Sequence, residues 1–204
     1  MVERQLRRRG IRDARVLEAM NQIQREEFVP PDSRLTTYAD EPIGIGYRQT
    51  ISQPYMTALM AELLELEGSE TVLEVGTGSG YAAAVLGVLA ARVITIELIP
   101  GLAAIARENL ARTGRGGNIT VICADGSLGY PQEAPFQAIS VAAAAPEVPH
   151  TLLNQLADPG RLVIPVGQRD DQELRVVTRR DGKIGSRVAT WCRFVPLRGG
   201  EGWQ

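Results

Sequence analysis

The sequence predicts an α/β fold built on one doubly wound, mostly parallel sheet with a helical extension at its N-terminus. Three observations carry this. From residue 68 onward, short apolar runs alternate with helix-patterned segments; a loop with Gly76, Gly78 and Gly80 follows the first run; and residues 1–67 show helical periodicity broken by an irregular stretch. A chain of 204 residues can bury a core without disulfides or a structural metal. The expected organisation is therefore a single domain over 1–204, with 1–67 a helical and loop region and 68–204 the Rossmann-like core.

In chain order, residues 2–9 and 13–23 read as short amphipathic helices. In the second, Val16, Leu17, Met20 and Ile23 share a face, and Asp13 is the cap. Phe28-Val29-Pro30-Pro31 ends this start. Asp40 to Gln53 reads as irregular because of Pro42, Gly44 and Gly46, and Pro54 then opens a helix to about Leu66. Strands follow at Thr71–Val75, Arg92–Glu97 and Ile119–Cys123, separated by helices at Tyr81–Ala90 and Gly101–Arg112. Further strands are expected at Ala138–Ala142, Arg161–Val166, Glu173–Arg180 and Arg187–Val195, with Asp181-Gly182 as a hairpin turn between the last two.

Composition narrows the function classes. A hydrophobic fraction of 44% with 23% charged residues is that of an ordinary globular domain and excludes a disordered chain. Cys123 and Cys192 stand far apart in apolar surroundings with no partner at metal-ligand spacing; they read as buried free thiols, and no metal site is expected. Such cysteines suit a reducing compartment, and the N-terminus lacks the apolar core of a signal peptide, so a cytoplasmic location is expected. No apolar run approaches the ~20 residues of a membrane span. Net charge is -2, so despite the basic run Arg4, Arg7, Arg8, Arg9, Arg12 and Arg15 neither nucleic acid nor membrane is an expected partner.

The glycine loop carries the chemistry. Gly76, Gly78 and Gly80 let the backbone pass tightly under a ligand at the carboxyl end of the first core strand, where open parallel sheets bind their ligands. A dinucleotide fingerprint needs Gly or Ala where Tyr81 stands; a P-loop needs Gly-Lys-Ser/Thr; a nucleophile elbow needs Gly where Thr77 stands. Glu97 ends the next strand at the distance of an acid that accepts from a ribose diol, and Asp125-Gly126 ends the third, where a carboxylate can accept from an exocyclic amine such as that of adenine. The competing reading, glycines for a turn and acids as helix caps, explains each residue singly but not their alignment. Loop and acids together read as the S-adenosyl-L-methionine site of a class I methyltransferase.

Several stretches extend this reading: Val2-x-x-Gln5-Leu6, Arg9-Gly10-Ile11, Arg25-Glu26-x-Phe28-Val29-Pro30, Gln49 to Met56 (QTISQPYM), Leu73 to Tyr81, Ala124-Asp125-Gly126, Ala142 to Pro149, Gly160 to Gly167 and Arg193 to Leu197. With these the chain resembles the protein-L-isoaspartate O-methyltransferases over nearly its whole length. The glycine loop is generic to methyltransferases, whereas Thr50-Ile51-Ser52-x-Pro54 is specific to this family. The resemblance implies methyl esterification of the free carboxylate of an isoaspartyl residue in an aged protein; S-adenosyl-L-homocysteine is the other product, and the ester collapses to a succinimide whose hydrolysis partly restores aspartate. It implies Ser52 as the active-site serine, with Gln49, Thr50, Ile51 and Thr57 around the cofactor or substrate. Gly76, Glu97, Leu98, Asp125 and Gly126 fall on cofactor contacts, to which the loop reading adds Gly78.

The chemistry suits what is missing. A carboxylate with a solution pKa near ~4 is already ionised at neutral pH, so no general base is required. The single histidine, His150, follows Pro149 at a helix start and reads as solvated or capping; a hydrolase pairing it with Ser52 has no supporting motif. Ser52 also reads as a helix N-cap before Pro54, and the family resemblance favours the functional role. Three positions depart from the family pattern. Gln24 replaces a proline, Tyr47-Arg48 a glycine-containing pair, and Gln137 an aspartate at a strand start expected near the site. Arg48 reads as a solvent-facing residue or as a partner for an acidic substrate group. Two alternatives share the cofactor features: a carboxyl methyltransferase for an aspartate of one dedicated peptide, and a non-catalytic cofactor-binding module.

Overall fold

A computed structural model describes residues 1–203. Two short turns of helix, Val2–Leu6 and Arg7–Arg9, stand where one helix was expected, and Gly10 at φ 102° ends them. Helix α1 (Ala14–Gln22) begins as its cap predicts, with the Asp13 carboxylate accepting from the Arg15 and Val16 amides. Strands β1 (Ile43–Gly46) and β2 (Gln49–Ile51) pair antiparallel inside the stretch expected to be irregular. Tyr47 (φ 52°) and Arg48 (φ 58°) are both left-handed and form the turn between them, a conformation usually signalled by Asn or Gly, so the hairpin carried no sequence signal. Helix α2 (Pro54–Leu63) follows.

The core runs β3 (Thr71–Val75), α3 (Tyr81–Leu89), β4 (Arg92–Glu97), α4 (Pro100–Arg112), β5 (Ile119–Cys123), β6 (Phe136–Val141), α5 (His150–Asn154), β7 (Leu156–Gly167), β8 (Gln172–Arg180) and β9 (Lys183–Cys192). These form a seven-stranded sheet in the order β5-β4-β3-β6-β7-β8-β9, parallel as far as β7 and antiparallel beyond it. The fold is the expected class I, Rossmann-like one. Strand β7 starts five residues before its expected Arg161, because Asp158-Pro159-Gly160 reads as a turn yet runs on as strand. Asp181 (φ 52°) and Gly182 (φ 73°) make the β8–β9 turn as expected.

The polypeptide reverses direction across the sheet between β3 and β6, and a crevice opens beyond their carboxyl ends. One face of the sheet is covered by α1, α2 and α3 together with Leu102 and Leu110 of α4; the other packs against α5 and the segments around Tyr130 and Val148. The extension is tied to the crevice by Arg25. Its fully buried guanidinium donates through Nε to the Thr37 carbonyl at 2.9 Å and lies 5.0 Å from the ring of Tyr81, the first residue of α3. The expectation that both thiols are buried is corrected: Cys123 is exposed and Cys192 half-buried. Each lies on a strand at an edge of the sheet.

Candidate active site

The loop after β3 is shaped by backbone pairing. Its Gly76 amide donates to the Ile96 carbonyl at 2.8 Å, and the Ala142 amide donates to the Val75 carbonyl at 2.8 Å, which draws the ends of β4, β3 and β6 together. Gly78 sits at φ 56°, and a Cβ there would press within 3.2 Å of the Ile45 side chain on the β1–β2 hairpin, so the hairpin lies directly over the loop. Tyr47 extends that cover. Its phenol rests on Gly101 at the start of α4, where any Cβ would collide with it.

Beneath the hairpin is a cleft lined by Gln49, Thr50, Gly76, Gly78, Glu97, Leu98 and Gly126, all of them expected cofactor positions. Glu97 is buried, and its two oxygens accept from the Gly78 amide (2.8 Å) and the Ile99 amide (3.0 Å). A carboxylate offers about four acceptor positions, so two remain for a diol. An adjoining hollow beside Gly76 and Gly78 is lined by Ile51, Ser52 and Thr57. Asp125 is not among the cleft-lining residues: one oxygen accepts from the Ser127 amide (2.9 Å) and hydroxyl (2.7 Å), the other from the Gly200 amide (2.7 Å).

A second, larger cleft of about 690 Å³ lies against the first, and Thr50, Ser52 and Ala142 line it together with Arg9, Arg169, Trp191 and Arg193. Thr50 and Ala142 face both clefts, and Ser52 lines the larger one and the hollow beside Gly76 and Gly78. The competing role for Ser52 has no support in the geometry. Helix α2 starts at Pro54, its N-cap is Gln53, and no side chain caps it. His150 is exposed and lines neither cleft, which leaves a Ser52–His150 hydrolase without its base.

Two features escaped the sequence reading. Glu74, two residues before Gly76, is fully buried; burial, with a smaller contribution from the charge of Glu97, pushes its carboxyl up to about 8. One oxygen accepts from the Thr95 hydroxyl (2.5 Å), which in turn pairs with the Thr77 hydroxyl (2.6 Å), while the other has no partner; the residue lines a hollow shared with Ser52 and Thr57. The sequence hid it as one more residue of an apolar strand. The second is the C-terminal tail: Val195 to Arg198 wall the cofactor cleft, and the Glu201 amide donates to the Ser127 hydroxyl at 3.0 Å. Its one signal is the run Gly199, Gly200 and Gly202, of which Gly199 (φ 141°) has no room for a Cβ beside Asp125.

The three departures are also resolved. Gln24 has φ -71°, an angle a proline ring allows. Gln137 lies at the amino ends of the strands, where its side-chain oxygen accepts from the Thr71 amide at 2.9 Å; the expectation that it lies near the site is corrected, because the clefts open at the opposite ends. Arg48 is exposed in the hairpin turn.

Residues 1–202 match the family described as protein-L-isoaspartate(D-aspartate) O-methyltransferase. The chain is 52% identical over its whole length to the protein-L-isoaspartate O-methyltransferase of Methanoculleus marisnigri, covering 92% of that protein. It is 57% identical to protein-L-isoaspartate O-methyltransferase 2 of Marinobacter nauticus, covering 93% of it. Among solved structures, one named protein-L-isoaspartate O-methyltransferase superposes with TM-score 0.83 at 30% identity; the match takes in 96% of this chain and 64% of that one, so this chain spans under two thirds of its length. A Plasmodium falciparum protein described as the same enzyme, solved in complex with S-adenosyl-L-homocysteine, superposes with TM-score 0.79 at 30% identity over 94% of each chain.

Proposed function

The chain belongs to the protein-L-isoaspartate(D-aspartate) O-methyltransferase family, and from that premise we propose how its two clefts divide the reaction. The enzyme methylates the free carboxylate of L-isoaspartyl residues in damaged proteins and peptides, using S-adenosyl-L-methionine. The reading of the site rests on one observation: Ser52 lines both the hollow beside the glycine loop and the larger cleft.

The residues of the inner cleft fit the cofactor. Glu97 has acceptor positions left for a ribose diol, and the glycines leave the loop backbone bare. When bound, S-adenosyl-L-methionine supplies a methyl group on a sulfonium and leaves as S-adenosyl-L-homocysteine. Gln49, Thr50, Gly76, Gly78, Glu97, Leu98 and Gly126 hold it, with Ile51, Ser52 and Thr57 closing the side toward the substrate. Asp125 acts at one remove, holding the tail that forms the far wall.

The isoaspartyl carboxylate enters the larger cleft already ionised, so the protein has no proton to remove. Ser52 donates a hydrogen bond to one carboxylate oxygen and thereby aims the other at the methyl group, and the hairpin excludes water from the approach. Because the loop and both clefts draw on the extension and the core alike, we read 1–204 as one methyltransferase unit. The unpaired thiols of Cys123 and Cys192 favour a cytoplasmic setting. Radiolabelled methyl transfer to matched isoaspartyl and aspartyl peptides tests the reaction: strong preference for the isoaspartyl form is expected, and cofactor binding without transfer to either peptide would overturn it.

A further inference from the structure

The cations that line the larger cleft are not equivalent. Arg9 is paired with Asp40 and lies 3.6 Å over the Tyr55 ring; Arg193 is paired with Asp170 at 2.6 Å. Arg169 has no carboxylate within ion-pair distance among the described residues, and its guanidinium lies 5.8 Å from the centroid of the Trp203 ring, a neighbour that orients one face and cancels no charge. Nor is its backbone free. The side chain of Gln172, only 2% exposed, donates to the Arg169 carbonyl (3.0 Å) and the Phe194 carbonyl (3.2 Å) and accepts from the Phe194 amide (2.7 Å), which fastens the β7–β8 loop to the cleft wall. A docked cation with no ion-pair partner among the described residues thus lines the cleft that also holds Ser52.

We propose that Arg169 is a specificity-determining residue that pairs with a second carboxylate of the substrate, either an acidic side chain near the isoaspartyl residue or a nearby C-terminal carboxylate. The inference rests on the functional reading above. A bidentate guanidinium–carboxylate pair at this position strengthens ground-state and transition-state binding alike, so it lowers KM and leaves kcat unchanged.

The test measures kcat and KM, at low ionic strength, for isoaspartyl peptides that carry Glu, Gln or Lys at each position within three residues of the damaged one. Each peptide is made with a C-terminal acid and with a C-terminal amide. Wild-type enzyme is expected to favour Glu over Gln at one or more positions, or acid over amide, by about fivefold in KM, the scale of one exposed ion pair. Arg169→Gln is expected to flatten that preference and Arg169→Glu to turn it toward Lys, with calorimetric affinity for S-adenosyl-L-homocysteine reporting that each variant is folded. Equal KM values across the wild-type series, or a preference that survives Arg169→Glu, overturn the inference alone. Failure to methylate any isoaspartyl peptide overturns the functional reading and the inference with it.

Discussion

Replacing Glu97 by Gln tests the cofactor site at its most constrained side chain. The carboxylate accepts from the Gly78 and Ile99 amides and keeps about two acceptor positions for the ribose hydroxyls. A glutamine has one oxygen, which cannot serve two amides on opposite sides and a diol as well. The binding loss is that of a hydrogen bond to a charged group, about 1.5–3 kcal/mol, or roughly 10- to 150-fold in Kd. A separate cost falls on the free protein, because one buried amide is left facing an NH2 group, about 1–3 kcal/mol of stability. Calorimetric titration with S-adenosyl-L-homocysteine measures the first and thermal unfolding the second. A Kd within threefold of wild type would refute the ribose role of Glu97, whatever happens to Tm.

Ser52→Ala is expected to lower kcat on an isoaspartyl peptide by about 10-fold or more, one orienting hydrogen bond, with affinity for S-adenosyl-L-homocysteine kept within severalfold; unchanged turnover would refute the orienting role. Glu74 sets a pH dependence of stability. Its carboxyl titrates near 8 in the fold instead of its ordinary 4.5, so between those values the folded state holds a proton that the unfolded chain has lost, and stability falls as pH rises through this window. Glu74→Gln should flatten that slope and raise Tm at pH 8 relative to wild type, and a denaturation series in pH checks it. Gly199→Ala forces a side chain against Asp125 at a left-handed φ and should cost about 1–3 kcal/mol while also weakening S-adenosyl-L-homocysteine binding, because the tail walls the cleft. Loss of stability without loss of binding would show that the tail is only packing.

The order of core strands was legible because each obeys a local rule: β3, β4 and β5 are short apolar runs between helices, and α1 announces its start through Asp13. The cofactor cleft was legible for the same reason, since loop and acids sit at strand ends that the alternation fixes. What stayed hidden depends on contacts distant in sequence. The β1–β2 hairpin turns on two left-handed residues of ordinary type, held by the Tyr47 contact with Gly101. The tie between Asp125 and Gly200 spans 75 residues, and no local pattern forecasts it. Cys123 and Cys192 misled because an edge strand and a central strand share a composition, and only the sheet order tells them apart.

The charges of the two clefts explain how a reaction without a base is directed. The cofactor cleft presents the Glu97 carboxylate together with Arg198, whereas the substrate cleft presents Arg169, which has no ion-pair partner among the described residues, toward a carboxylate. The substrate carboxylate therefore meets an unpaired cation in its own cleft, which favours correct seating. The basic N-terminus takes part. Arg9 reaches Asp40, whose other oxygen accepts from the Tyr55 amide at 3.0 Å, so an arginine that reads as one of a surface run secures the helix start just beyond Ser52. Arg15 likewise bonds the Leu66 and Leu89 carbonyls at 2.5 and 3.0 Å, joining the extension to the ends of α2 and α3. Catalysis by placement needs a serine held from both sides. Ala142 of the core lines the same cleft as Ser52, and Arg9, through Asp40, secures the start of α2 on the other side.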